Sequence, residues 1–275
     1  MTLLLLLAAV LSPAQKAREA AKAFQPQFLE LRRAAAAIRD PALRAAVEAQ
    51  ILAPWLPDQA WGYSHPGETP LPPPRSGEFA SAPGGNCEDG HHGYPGGLAV
   101  HALTNLLHAR ALAGTYEHVY GIKLDDDWLV AAAIWHDSLK AATLPFTEDG
   151  SCGPEAQIAG TNAHHVLGLA AAILRHLPRE LIFVIASAHL PPTPGANYET
   201  VCSWLKAADR IATGTTGTCP PRPAVEAFVS HFADADYAFT GTTWAEYVRR
   251  APKGWARYQA LQADGNDVAL FHRAH

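Results

Sequence analysis

The stretch of residues 125–142 reads DDDWLVAAAIWHDSLKAA, and its apolar run carries a histidine next to an aspartate. Three aspartates suit the start of a helix. Acidic side chains can cap its first turn, and their negative charge interacts favourably with the positive end of the helix dipole. A buried helix should lack ionisable side chains unless each has a partner that offsets the loss of water. His136 and Asp137 are therefore either a costly burial without function or half of a site that other segments complete.

The same helical pattern extends over most of the chain. Apolar residues recur at spacings of three and four. The segments predicted to be helical are 12–55, 98–121, 125–142, 154–177, 179–190, 198–214, 223–239 and 242–263. Convincing alternating strands are not found, so the sequence predicts an all-α helical bundle.

Length and charge narrow the classes of protein. The chain has 275 residues, is 48% hydrophobic and carries a formal net charge of -5. This size suffices for a large core, and we expect a single all-α domain over residues 15–275. The net charge and the scattered basic residues argue against a nucleic-acid polymer as partner. The oligomeric state is left open.

The N-terminus permits two interpretations. An apolar run over residues 3–11, followed by Ser12-Pro13-Ala14, resembles an export leader over residues 1–14, although no basic residue precedes the run. Alternatively, the run packs on the core, and a helix begins with Ser12 as its N-cap and Pro13 in its first turn. The run is too short to span a bilayer. We expect export to the periplasm or beyond, with a cytoplasmic location as the alternative.

A long segment rich in proline and glycine covers residues 58–97. Such a segment is usually a functional loop or a linker. Because it ends directly before a helix that contains His101, we favour a lid or wall over a site. As a linker, it would make residues 1–60 a separate domain.

The four cysteines also permit alternatives. An exported chain could pair Cys87, Cys152, Cys202 and Cys219, and four cysteines allow three pairings. Cys202 with Cys219 would close a short loop, and Cys87 with Cys152 would join two glycine-rich loops. In a cytosolic protein, four free thiols are the expectation. The sequence does not choose between these arrangements.

Several central helices place a histidine or an aspartate where their pattern predicts an apolar residue. Imidazole and carboxylate groups together suit iron, manganese, zinc or a similar divalent transition metal. This donor set argues against calcium, which prefers oxygen ligands. The candidate metal ligands are His101, His136, Asp137, His165, His189 and Asp209.

These residues and their order resemble the HD-domain superfamily of metal-dependent phosphohydrolases. The resemblance covers about residues 88–215. It includes HHGYPGGLAVHAL before and around His101, HDSLK at 136–140, HHVLG at 164–168 and ADRIA at 208–212. HDSLK departs from the family pattern in having Leu139 where glycine is usual.

The resemblance implies the six-ligand branch with two metal ions per chain, iron or manganese among the candidates. It assigns Asp137 as the bridge between the ions and favours His165 over His164 as a ligand. His101, His136 and Asp209 would hold one ion, and His165 with His189 the other. Lys140, in register with the family lysine, would bind a phosphate oxygen, so Asp137 and Lys140 are the expected catalytic residues.

The function expected from the resemblance is hydrolysis of a small, nucleotide-like phosphomonoester or phosphodiester by a metal-activated hydroxide. Residues predicted to contact the substrate are His92, His164 and Arg210. Two alternatives remain: a di-iron oxygenase of the same superfamily acting on a small polar substrate, and a non-catalytic signalling or binding module. The non-catalytic alternative is disfavoured because each ligand position of the family pattern holds a residue that can bind metal.

Overall fold

The computed structural model describes residues 11–54, 77–87 and 90–235, and these residues are mainly helical. The helices are α1 (Pro13–Ala21), α2 (Gln25–Ala36), α3 (Pro41–Leu52), α4 (Gly97–Tyr120), α5 (Asp126–Trp135), α6 (Lys140–Thr143), α7 (Ala163–Leu174), α8 (Arg179–Ala186), α9 (Ala196–Thr213) and α10 (Val225–Ala235). Short 3-10 turns cover Lys22–Phe24 and Phe79–Ser81, and one hairpin joins β1 (Gln157–Ile158) to β2 (Thr161–Asn162). The prediction of an all-α bundle is confirmed.

Polar side chains define where three of these helices begin. Ser12 and Gln15 form a capping box at the start of α1, and Pro13 occupies the first helical position. The Asp40 carboxylate accepts hydrogen bonds from two backbone N–H groups of α3, and Asp125 accepts one from Asp127 at the start of α5. These caps satisfy backbone donors that have no partner within their own helix.

The described helices pack around one large hydrophobic cluster, and a smaller one lies between α4, α5 and α10. α4 contacts α2, α5 and α10, whereas α7 contacts α8 and α9. Leu31 of α2 and Ile51 of α3 are buried in the same cluster as Leu98, Ile134 and Leu205 from the later helices. The N-terminal helices therefore share their apolar contacts with the segment that carries the His-Asp pair.

The His-Asp pair lies just beyond a helix and not in its middle, contrary to the prediction of one helix over residues 125–142. α5 ends at Trp135, and residues 136–139 form a turn before α6. Ser138 Oγ donates a hydrogen bond to the Trp135 carbonyl, and Gln50 of α3 donates one to Ser138 Oγ at 2.8 Å. Leu139 has a φ of -75°, a right-handed conformation that does not require glycine.

A second difference concerns the segment predicted as a helix over residues 154–177. Its first part forms the β1–β2 hairpin, and α7 begins only at Ala163. Ala159 and Gly160, the two residues of the turn, have φ angles of 52° and 76°. Positive φ at both central residues is the conformation of the tight hairpin turn, and it is incompatible with a right-handed helix.

The structure pairs the cysteines as Cys87 with Cys152 and Cys202 with Cys219. Their Cα–Cα distances are 5.2 and 5.9 Å, within the usual range for disulfides. The first bond joins the loop before α4 to the loop before the hairpin. The second joins α9 to the segment that follows it.

Several predictions concern residues that the structure does not describe. Most of the leader predicted for residues 1–14, residues 58–76 of the predicted lid and the helix predicted over 242–263 lie outside the described residues. Among the helices that the structure describes, none combines the length and apolar content needed to cross a bilayer.

Candidate metal centre

One group of donor atoms gathers where α4, the turn after α5 and the end of α10 meet. It consists of His101 Nε2, His136 Nε2, Asp137 Oδ2 and Asp234 Oδ1, and we call it donor group A. His101 Nε2 lies 3.2 Å from His136 Nε2, 3.0 Å from Asp137 Oδ2 and 3.1 Å from Asp234 Oδ1. His136 Nε2 lies 3.5 and 3.4 Å from the same two carboxylate oxygens. All four side chains are buried.

A second group forms around the other oxygen of Asp137. It consists of Asp137 Oδ1, His164 Nε2 from the first turn of α7 and His189 Nε2 from the segment after α8, and we call it donor group B. The two imidazole nitrogens lie 3.0 and 3.2 Å from Asp137 Oδ1. The carboxylate of Asp137 thus contributes one oxygen to each donor group.

The spacing within both groups fits coordination of a transition metal. Ligand atoms about 2.1 Å from one ion are about 3.0–3.4 Å apart in octahedral or tetrahedral geometry. The five separations in donor group A that involve an imidazole nitrogen are 3.0 to 3.5 Å. In donor group B, His164 Nε2 and Asp137 Oδ1 lie 3.0 Å apart without hydrogen-bond geometry, and no other described residue pairs with this nitrogen. A buried nitrogen so placed suits a cation shared with that oxygen.

Hydrogen bonds on the far side of two rings set which nitrogen can bind a metal. His136 Nδ1 lies 3.1 Å from the Ala132 carbonyl, which can only accept, so Nδ1 carries the proton. His164 Nδ1 likewise faces the Glu155 carboxylate at 2.8 Å. In the neutral form of each ring, Nε2 then presents its lone pair to the centre, as a metal ligand requires.

The electrostatics of the cluster combine burial with strong charge pairing. Burial raises the pKa of Asp137, but the charges of Lys140 and His136 and the contact with His101 outweigh it and hold that pKa well below its usual value. Burial lowers the pKa of His164, but the charges of Glu155 and Asp137 raise it to about 9. Without metal, protons can therefore neutralise part of the cluster, and metal binding would displace them.

Lys140, a predicted catalytic residue, lies at the edge of donor group A. Its Nζ donates hydrogen bonds to Asp137 Oδ2 and to the Gly84 carbonyl, and its side chain is 9% exposed. The ammonium thus links the His-Asp turn to the loop before α4. Its predicted contact with a phosphate oxygen stays a prediction.

The loop before α4 brings His91 and His92 against His101. Their ring centroids lie 4.8 and 5.5 Å from that of His101, and the two Nδ1 atoms are 3.0 Å apart. Burial, followed by the charge of His101, lowers the pKa of both residues well below its usual value. A side chain at Gly97 would collide with the His92 carbonyl, so glycine there lets the loop fold back onto α4.

Asp209, predicted as the last carboxylate ligand, is not brought to either donor group. Both of its oxygens accept hydrogen bonds from Arg179, at 2.7 and 2.8 Å, and Oδ2 also accepts one from the Gly217 backbone. Asp234 occupies donor group A instead, which corrects the prediction. The physical reason is that Arg179 already neutralises Asp209, whereas Asp234 faces imidazoles and the Asn105 amide.

The structure places the paired histidines differently from the prediction. His164, predicted to contact the substrate, presents Nε2 to Asp137, whereas His165 lies behind His189 with a ring-centroid distance of 4.4 Å. Neither ring nitrogen of His165 has a hydrogen-bond partner among the residues that the structure describes. His165 also packs edge-on against Trp204. The structure therefore brings His164, and not the predicted His165, to the Asp137 carboxylate.

The remaining predicted residues divide by position. His101, His136, Asp137 and His189 come together as expected in the two groups. Arg210 follows Asp209 on α9, and no ion pair or hydrogen bond of its side chain within the described ranges joins it to either group. Contact of Arg210 or His92 with a substrate stays a prediction.

Asp234 was missed although a signal for it exists. It stands four residues after Ser230 and seven after Ala227, and all three are buried. This spacing puts a carboxylate on the apolar face of an amphipathic helix. The cost of burying an ionisable group, which singles out His101, applies equally to Asp234 in the segment 223–239.

Comparison with known proteins gives a distant relationship. The chain is 32% identical over 105 residues to dihydroneopterin 2',3'-cyclic phosphate phosphodiesterase of Methanocaldococcus jannaschii. The similarity covers 38% of this chain and 41% of that relative, so less than half of either protein is matched. No family model matches the chain. No solved structure matches it either.

Proposed function

We propose that this protein is a metal-dependent hydrolase of small phosphoric esters with two divalent transition metals in its centre. The observation that carries the proposal is the division of the Asp137 carboxylate between donor groups A and B. Two nearby metal positions bridged by a carboxylate suit displacement at phosphorus. The similarity to a cyclic phosphate phosphodiesterase supports the same chemistry, and iron or manganese suits the mixed donors.

His101, His136 and Asp234 would hold one ion, His164 and His189 the other, and Asp137 both. When bound, such ions supply Lewis-acid activation of water and of the phosphoryl oxygens. Lys140 holds Asp137 Oδ2 and adds a positive charge beside the position where a phosphate would enter. His91 and His92 form the adjoining wall, and we propose that their rings contact the ester group that leaves.

The test joins metal analysis with a substrate panel. Protein purified without oxygen or chelator should contain close to two metals per chain and hydrolyse at least one of p-nitrophenyl phosphate, bis(p-nitrophenyl) phosphate and a nucleoside 2',3'-cyclic phosphate. Asp137→Ala should lose both metals and the activity because both donor groups lose an oxygen. Metal-loaded protein that hydrolyses none of these esters, or that consumes oxygen with an added polyol, would overturn the proposal.

We also propose that the protein works in an oxidising compartment, as expected for an exported chain. Support comes from the two disulfides, because such bonds persist mainly outside the reducing cytosol. Cell fractionation with thiol labelling tests this. Protein found in the cytosol with four labelled thiols would contradict it.

A further inference from the structure

Glu155 contacts donor group B without belonging to it. Its Oε1 accepts hydrogen bonds from the His164 backbone N–H at 2.7 Å and from His164 Nδ1 at 2.8 Å, and Oε2 lies 2.9 Å from Nδ1. The Glu155 side chain is only 7% exposed. One carboxylate therefore holds both the first turn of α7 and the imidazole ring.

The β1–β2 hairpin explains how Glu155 reaches this position. The strands pair Ile158 with Thr161 and Gln157 with Asn162, and Ala163 N–H donates to the Ala156 carbonyl at 2.9 Å. Continuing the same antiparallel register by one residue places Glu155 opposite His164. The hairpin thus aligns a loop carboxylate with a residue of the helix.

The turn of the hairpin is fixed in length and conformation. Its central residues, Ala159 and Gly160, both have positive φ. Alanine is uncommon in this region because its Cβ approaches the backbone, so the surrounding contacts must hold it there. A one-residue slip would place Ala156 or Pro154 opposite His164, and neither side chain can accept a hydrogen bond from Nδ1.

We propose that Glu155 is the positioning residue of donor group B: by accepting a hydrogen bond from His164 Nδ1–H, it fixes the ring so that Nε2 faces Asp137 Oδ1, and it thereby sets the affinity of one metal position. The inference rests on the metal centre of the proposed function but not on the reaction. Removing the carboxylate that orients a ligating histidine typically costs 10- to 100-fold in metal affinity.

The experiment compares Glu155→Ala, Glu155→Gln and a control, Glu148→Gln, in the full-length protein. Glu148 is 75% exposed and pairs with Lys16 at 3.5 Å. Metal is removed with chelator, and Mn²⁺ or Co²⁺ binding is measured by equilibrium dialysis with elemental analysis. We expect Glu155→Ala to weaken one of the two binding steps about 10- to 100-fold. Glu155→Gln should weaken it less, because an amide oxygen can still accept from Nδ1, and Glu148→Gln should not change it.

A structural role for Glu155 gives a different pattern. If Glu155→Ala weakens both binding steps equally and lowers the unfolding temperature, or leaves both unchanged, the inference is wrong. Nitrogen-15 spectra of the metal-free protein give a second readout. The His164 Nδ1–H signal should persist in Glu155→Gln and disappear in Glu155→Ala, and its persistence in Glu155→Ala would also overturn the inference.

Failure of the proposed function would look different from failure of this inference. If the unmodified protein binds two metals but hydrolyses no ester, while Glu155→Ala still loses affinity at one position, the hydrolase proposal fails and the role of Glu155 stands. If esters are hydrolysed but Glu155→Ala binds both metals normally, the role of Glu155 fails alone.

Discussion

Two aspartates on neighbouring helices have their charges balanced in different ways. Asp209 on α9 is matched by Arg179, whose guanidinium binds both oxygens. Asp234 on α10 faces His101 and His136 and accepts a hydrogen bond from the Asn105 amide. The positive charge beside Asp209 is built into the chain, whereas that beside Asp234 must come from protonated imidazole or a bound cation.

These surroundings predict opposite effects for two matched substitutions. Asp234→Asn should remove about one metal per chain, because donor group A loses an anionic oxygen. Asp209→Asn should keep the metal and lower the free energy of unfolding by about 1–2 kcal/mol, because Arg179 loses its charged partner. Elemental analysis and denaturant unfolding measure the two effects. Metal loss in Asp209→Asn with full metal in Asp234→Asn would contradict the assignment.

The sequence predicts most of the centre at this scale, because an ionisable group on an apolar face is costly and stands out. His101, His136, Asp137 and His189 were found in this way. The choice between His164 and His165 depends on where α7 begins, because adjacent side chains on a helix differ in direction by about 100°. The hairpin sets where α7 begins. Its strands lack the alternation of apolar and polar residues by which a strand is predicted from sequence.

At the scale of elements, α2 and α3 contribute to the core that supports the centre. Val47 and Ile51 of α3 are almost fully buried, and Gln50 between them reaches Ser138 in the His-Asp turn. We propose on this basis that the N-terminal helices and the later helices unfold together as one domain.

Two neighbouring substitutions on α3 test this proposal. Ile51→Ala should lower the free energy of unfolding by about 2–4 kcal/mol, because it leaves a cavity in the shared core. Leu52→Ala, at a side chain 54% exposed, should change it by less than about 0.5 kcal/mol. Thermal unfolding followed by circular dichroism and by metal release checks both. Metal release at an unchanged temperature in Ile51→Ala would indicate separate domains.

Elements with a strong helical period were predictable, whereas their interruptions were less so. The caps of α1 and α5 follow from Ser12 and Asp125, which are visible in the sequence. The end of α5 at Trp135 depends on hydrogen bonds of Ser138 with Trp135 and Gln50, the second from a distant segment. The helix propensities of residues 125–142 give no information about the contact with Gln50.

At the scale of the whole molecule, the disulfides join segments that are far apart in sequence. Cys87–Cys152 closes a separation of 65 residues and Cys202–Cys219 one of 17. Each disulfide lowers the conformational entropy of the unfolded chain. This predicts a gain in the free energy of unfolding of about 4 kcal/mol for the longer loop and about 3 kcal/mol for the shorter one.

Paired serine substitutions measure these contributions. The double variant at Cys87 and Cys152 should unfold at a lower temperature than the unmodified protein, and so should the double variant at Cys202 and Cys219. The second variant should bind metal as the unmodified protein does, since its disulfide joins α9 to the segment after it and neither cysteine belongs to a donor group. Scanning calorimetry and elemental analysis provide the readouts. An unchanged unfolding temperature in both variants would contradict the prediction.

The shared carboxylate of Asp137 has a consequence for thermodynamic linkage. A ligand that serves two positions couples them, so occupation of one donor group changes the free energy of filling the other, and the change is reciprocal. The first metal would order the Asp137 side chain, which favours binding of the second. Repulsion between the two cations would oppose it. In the proposed two-metal centre, the affinity of each binding step would therefore include this coupling, and the cooperativity of loading would report the balance between the two effects.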